Sequence, residues 1–259
     1  MKIITIGALK GGVGKTNFTF NLAGILAFNN KKVLLIDLDP QANLSNNFKI
    51  TNSSSSSKKL FEQNVDIIKS NLIIKNINLH ENIHIIPTNI AMTTLETELI
   101  NRTAREGALQ RTFIKNYELL KSYDYVIIDT NPSINIINKN AFVIADEIII
   151  VSDNSINSLS AVNLLTNTWQ EMCKELTINN NINTIVLNNF DHYKISKDFT
   201  EFIGNSQFKE KILKTQIRSK QALKKSEIVG IPLALSKSVK LETNPYHHVY
   251  NELIERGVL

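Results

Sequence analysis

Cysteine is almost missing from this chain: Cys173 stands alone among 259 residues. That excludes an intrachain disulfide and any iron–sulfur cluster held by several thiolates. No apolar run approaches the roughly 18 residues of a membrane-spanning helix, and no stretch has the basic, apolar, small-residue order of a signal peptide. A cytoplasmic protein is expected. Acidic residues are fewer than basic ones, 24 against 29, giving a net charge of +5 and a pI near 9.1. This leans towards polyanionic partners. Glycine is sparse as well, at nine residues, so the crowding of Gly11, Gly12 and Gly14 is informative. Hydrophobic residues at 42% and charged residues at 20% are ordinary for a globular protein. The length suits one α/β domain spanning residues 1–259 and is short for two.

The glycines lie in Lys10-Gly11-Gly12-Val13-Gly14-Lys15-Thr16, between the apolar run Ile3–Ile6 and a helical segment from Asn17 to Phe28. A strand passing through such a turn into a helix aims several backbone N–H groups at one spot, where the helix dipole adds about half a positive charge. That spot suits a phosphate chain. Lys15 would reach the β- and γ-phosphates, and the Thr16 hydroxyl would ligate the Mg²⁺ that accompanies a nucleoside triphosphate.

Further apolar segments end in carboxylates. Lys32–Ile36 leads into Asp37-Leu38-Asp39-Pro40-Gln41, and Tyr125–Ile128 leads into Asp129. Continuous apolar runs of this kind are strands buried on both faces of a parallel sheet, whose carboxyl edge is where α/β proteins bind ligands. Alternation puts Asp37 and Asp39 on one side. More strands are expected over 82–89, closed by Pro87, over 145–151 and over 184–189, and helices over 107–120, 157–171 and 245–256. Ser53 to Ser57 reads as a solvated loop. His84 and His80 read as surface strand residues, His247 and His248 as part of a solvated helix face, and Trp169 as core.

The variant loop and D-x-D-P-Q resemble the deviant Walker A and A′ motifs of the ParA/MinD family of ATPases. The resemblance implies a doubly wound, mostly parallel sheet flanked by helices, with ATP and Mg²⁺ as ligands. It further implies an ATP-dependent homodimer in which Lys10 crosses to the partner's nucleotide, with Gly11 and Gly12 letting the two loops approach. Carried over by position, Lys10, Lys15 and Asp39 are catalytic, Asp39 by orienting the attacking water. Gly11, Gly12, Val13, Gly14, Thr16, Asn17, Asn188 and Arg218 join the two lysines in holding nucleotide, and Thr16, Asp37 and Asp129 serve the metal. Departures include Asn131 in the D-x-P-P segment, Ser152-Asp153-Asn154 in place of V-x-P-E, and Ile217-Arg218-Ser219 in place of Ile-Pro-Arg.

Between Lys209 and Lys225 the charge is lopsided: Lys209, Lys211, Lys214, Arg218, Lys220, Lys224 and Lys225 oppose Glu210 alone. Lysines and arginines so placed suit phosphate-backbone contacts that carry no base readout. The resemblance implies a nucleoid-associated partition ATPase that positions plasmid or chromosome cargo and is stimulated by a ParB-like partner. The alternative is a membrane-positioned ATPase of the MinD type. Against it, the segment Asn251 to Arg256 has two acids to one base and lacks the basic amphipathic design of a lipid-surface helix.

Overall fold

The computed structural model describes residues 1–51, 53–75, 79–188, 208–218, 221–237 and 239–259. Six strands form one all-parallel sheet: β1 (Lys2–Gly7), β2 (Val33–Asp37), β3 (Ile83–Ile86), β4 (Tyr125–Asp129), β5 (Glu147–Ser152) and β6 (Ile182–Leu187). Their order across the sheet is β3-β2-β4-β1-β5-β6. The chain therefore winds one way from β1 to β3 and the other way from β4 to β6, which is the doubly wound arrangement expected. β4 lies between β1 and β2 and is in register with both, so Asp129 stands opposite Ile6 on one side and Asp37 on the other.

Each strand carries apolar side chains on both faces because helices cover both. Ile4, Ile6, Leu35, Ile127 and Ile149 face a core shared with α1 (Lys15–Phe28). The alternate residues Ile3, Leu34, Ile36, Val126 and Ile128 face α3 (Leu95–Ile100), α4 (Ala108–Lys115) and α6 (Ile136–Ile144). Of the remaining helices, α2 (Asn43–Asn47) and α5 (Tyr117–Leu120) are short, and α7 (Ile156–Leu176) runs along the β5–β6 side. There Trp169 is buried, as expected, edge-on to Phe142.

Beyond its polar first turns the helix α1 is apolar and buried nearly all round, and a helix of that kind needs cover on its second side. The C-terminal part supplies it. Tyr246, Val249 and Leu253 of α9 (Pro245–Glu255) and the segment around Pro232 and Leu233 pack on it, while α8 (Gln221–Val229) reaches α2. Gly24 marks the closest approach: a Cβ there would stand inside 3.0 Å of the Pro232 ring.

Three local expectations are corrected. The helix read over 107–120 breaks at Asn116, whose side chain accepts from Ile67 N at 2.9 Å and donates to Val65 O at 2.9 Å, tying the break to a neighbouring loop. The serine run is not simply solvated. Ser56 caps a short 3₁₀ turn and Ser57 is fully buried, its hydroxyl donating to Asp37 O at 2.6 Å. His84 is buried rather than exposed, because β3 is covered and the Tyr123 hydroxyl meets its Nδ1 at 2.7 Å.

Candidate functional site

At the carboxyl edge the loop after β1, the acids ending β2 and β4 and Asn188 after β6 converge on one place. The loop after β1 reaches α1 through Gly14 in the left-handed region (φ 82°), which glycine adopts without strain. No side chain caps α1 and its first turn holds no acid, so the first N–H groups are left for an incoming anion. Beside this loop is a cavity of about 570 Å³ lined by Lys10 through Asn17 together with Asp39, Asn188 and Lys224. Nearly all the predicted nucleotide residues are therefore brought together. Arg218 is the exception: it is exposed and does not line the cavity.

Asp129 is the hub beneath the floor. Fully buried, it accepts from Lys15 Nζ at 3.0 Å, Thr16 Oγ1 at 2.8 Å and Thr19 Oγ1 at 3.0 Å. The Lys15 ammonium also donates to Thr130 O. A buried carboxylate with this many donors is well satisfied, and it holds the loop lysine folded back over the sheet edge.

Asp37, its neighbour in register, is held by Ser45 N at 2.9 Å, Ser45 Oγ at 2.7 Å and Asp39 N at 3.1 Å. Complete burial, with the Asp129 charge beside it, raises its carboxyl to about 7 despite those bonds. Two carboxyls packed this closely disfavour double ionisation, and the Lys15 ammonium bonds Asp129. Asp39 faces the cavity and takes an N–H from Gln41 at 3.0 Å. Burial raises its carboxyl too, against the Gln41 bond and the Lys15 charge.

The two lysines of the loop have different surroundings. Lys15 is buried, whereas the Lys10 side chain keeps 36% of its exposure and reaches sideways to Asp153 Oδ2 at 2.7 Å and Ser155 Oγ at 2.9 Å. Asn188, at the end of β6, donates its amide to Val13 O at 3.1 Å and Gly14 O at 3.0 Å. Its evident work here is bracing the loop. A Cβ on Gly14 would strike that amide, a second reason for glycine at this position.

Of the predicted basic surface, Lys209, Lys214, Arg218, Lys224 and Lys225 are exposed. Lys211 instead turns its ammonium to Ile182 O at 2.6 Å, and Lys220 lies outside the described residues. Sequence reasoning missed Asp153, Ser155, Ser45 and Thr19. The one available signal was Asp153 itself, a carboxylate just past the apolar strand β5.

A parallel sheet whose first strand feeds a glycine turn and an uncapped helix, with carboxylates on the adjoining strand ends, defines a phosphate-loop nucleotide-binding protein. A family model described as an AAA domain, AAA_31, matches residues 1–185. The sporulation initiation inhibitor protein Soj of Bacillus subtilis is 32% identical over 238 residues, covering 90% of this chain and 90% of Soj. Among solved structures, a plasmid partition protein of Borrelia burgdorferi bound to AMPPNP superposes with a TM-score of 0.77 at 25% identity, covering 98% of this chain and 97% of its own. Apo McdA of Cyanothece shares the fold, with a TM-score of 0.83 at 22% identity over 98% of this chain and 99% of its own. The chain belongs to the ParA/MinD family of ATPases.

Proposed function

We propose that this chain is one partition-type ATPase domain over residues 1–259, a switch in which ATP closes a homodimer, the dimer binds DNA without sequence preference, and hydrolysis releases it. The observation that carries this reading is the contrast between the two lysines: Lys15 is committed to its own sheet edge, while Lys10 stands at the cavity rim on a partly exposed ion pair. A cation in that position is available to a phosphate brought from outside the protomer. Gly11 and Gly12 support it, since a Cβ on either would meet nothing within this chain, leaving open space for a facing loop.

The residues fit a magnesium nucleotide. Among the described residues no three His, Cys, Asp or Glu side chains cluster as metal ligands. Mg²⁺ needs no such cage, because it keeps waters and takes one or two carboxylates plus substrate phosphates. Thr16 and the Asp37–Asp129 pair are hard oxygen donors of that kind, and a divalent ion there would neutralise the charge that burial makes costly. Lys15 would exchange Asp129 for phosphate oxygens. Asp39 would hold a water in line with the terminal phosphorus; its attack forms one P–O bond as the bond to the β-phosphate bridge breaks, yielding ADP and phosphate.

The exposed cations Lys209, Lys214, Arg218 and Lys225 provide the DNA-facing charge, and a ParB-like centromere-binding partner would stimulate turnover. Such a protein works in the cytoplasm on the nucleoid. The membrane reading is less favoured because α9 commits Tyr246, Val249 and Leu253 to the core and leaves Ile254 as its one large exposed apolar residue.

The decisive experiment is light scattering after size exclusion, with ATP, ADP or neither, for the parent, Asp39→Ala and the double variant Lys10→Ala/Asp39→Ala. ATP should convert Asp39→Ala to a dimer and leave the double variant monomeric. A double variant that dimerises as fully as Asp39→Ala would overturn the reading.

A further inference from the structure

The third residue of α1, Asn17, lies on the cavity wall, and its side chain is held from behind by Asn21, one turn further along the helix, and by Tyr246, far away in sequence. Its Oδ1 accepts from the Tyr246 hydroxyl at 3.0 Å and from Asn21 Nδ2 at 3.3 Å. Asn21 Nδ2 also donates to Asn17 O at 3.0 Å, and Asn21 Oδ1 accepts from Leu233 N at 2.9 Å. Asn21 and Tyr246 are both buried.

The direction of these bonds follows from what each group can do. A backbone N–H can only donate, so Leu233 N fixes which end of the Asn21 amide is oxygen. The other end, Nδ2, is then a donor and must meet the oxygen of Asn17. The Tyr246 hydroxyl, in contact with two oxygens of Asn17 at 3.0 and 3.5 Å, is a donor as well. Burial pushes its phenol far above the usual tyrosine range, so its proton is retained. The carboxamide is planar, and with its oxygen anchored inward its NH₂ group is turned the other way. Among the described residues that Nδ2 makes no hydrogen bond, and Asn17 is half-exposed at the cavity.

We propose that Tyr246, Asn21 and the backbone of Leu233 form a buried relay that orients Asn17 so that its NH₂ donates to a phosphate oxygen of the nucleotide. Asn17 touches the ligand; Tyr246 and Asn21 are positioning residues. The inference rests on reading the cavity as the nucleotide site. It makes α9, more than 200 residues from the glycine loop along the chain (the Tyr246–Asn17 separation is 229), part of the nucleotide affinity. An unanchored amide would be free to turn and offer its oxygen, which repels phosphate.

The test is a double-mutant cycle on ADP affinity, measured by isothermal titration calorimetry. ADP keeps hydrolysis and ATP-driven pairing out of the measurement. Tyr246→Phe should weaken ADP binding about three- to tenfold, the usual worth of one hydrogen bond, and Asn17→Ala by a similar factor. Adding Tyr246→Phe to Asn17→Ala should change the affinity no further. Asn17→Asp keeps the acceptor facing Tyr246 but turns an anionic oxygen towards phosphate, so it should lose more than Asn17→Ala. The relay is overturned if Tyr246→Phe binds ADP like the parent, if its effect persists undiminished in the Asn17→Ala background, or if Asn17→Asp binds as well as Asn17→Ala. Failure of the parent itself to bind ADP would overturn the nucleotide reading, and is distinguishable because it precedes any variant.

Discussion

The Lys10 ammonium and the Asp153 carboxylate meet at 2.7 Å, joining the glycine loop after β1 to the loop after β5. Burial works against the Asp153 charge, but hydrogen bonds from Lys10, Ser158 and Ser155 outweigh it and hold the carboxyl at about 2. The Asp153 carboxyl is therefore ionised throughout the physiological range. If Lys10 reaches a second protomer's phosphate, as proposed, it must first release Asp153, so opening the pair would compete with dimer formation. A partly exposed ion pair is worth about 0–1 kcal/mol. Because a dimer opens two, Asp153→Asn should strengthen ATP-dependent pairing by up to about 30-fold, as read by sedimentation equilibrium. Weaker pairing in that variant would show that Asp153 assists the dimer instead.

Asp39 is the only carboxylate lining the cavity that belongs to the A′ motif. If it orients water, Asp39→Ala should cut phosphate release by at least about 100-fold, the lower range for a positioned acid–base group. ADP affinity should be nearly unchanged. Turnover within a few-fold of the parent would remove Asp39 from that role.

Glycine to alanine inside a helix is ordinarily stabilising by about 1 kcal/mol. At Gly24 the sign should invert, because the new methyl would press into the rigid Pro232 ring. Overpacking typically costs about 1–3 kcal/mol. Urea denaturation of Gly24→Ala should show a lower midpoint; a higher one would mean that the Pro232 segment yields freely.

His84 contributes a pH dependence. Burial, followed by the charges of Lys32 and Lys75, lowers its pKa from the usual histidine value. Below about pH 6.5 the unfolded chain takes up a proton that the folded protein declines, so stability falls as pH drops. From pH 8 to pH 5 the parent should lose more unfolding free energy than His84→Gln does. Equal losses in both would show that the imidazole is not the group responsible.

Charge reversal at Lys209, Lys214 and Lys225 tests the DNA surface away from the cavity; Lys224 is spared because it lines the nucleotide site. If each contacts one phosphate, the slope of log affinity against log salt should become shallower by about 2.7 in total. ADP affinity should be unchanged. An unaltered slope would place DNA contacts elsewhere.

Much of the site was legible because a parallel strand read as an apolar run also tells where its carboxyl end lies. The position of Asp37, Asp39 and Asp129 at the carboxyl edge needed only that logic, whereas their roles, and that of the variant glycine loop, came from the resemblance to the ParA/MinD motifs. The burial of His84 and Ser57 was not legible, since the covering groups come from Tyr123, Asp37 and the segments around them. The break at Asn116 was hidden for a related reason. Its amide is satisfied by residues 49 and 51 positions away.

The amino-acid order by itself determined the alternation of strand and helix, the phosphate loop and the acids that accompany it, because these depend on contacts within a few residues. The tertiary structure decided which strand ends are neighbours: β4 between β1 and β2 pairs Asp129 with Asp37, and β5 beside β1 gives Lys10 its Asp153. It also laid α9 against α1, so that Tyr246 stands behind Asn17. Such pairings cross more than 90 residues of chain. They follow from how the whole sheet and its two helical layers bury apolar surface, which no local stretch of sequence encodes.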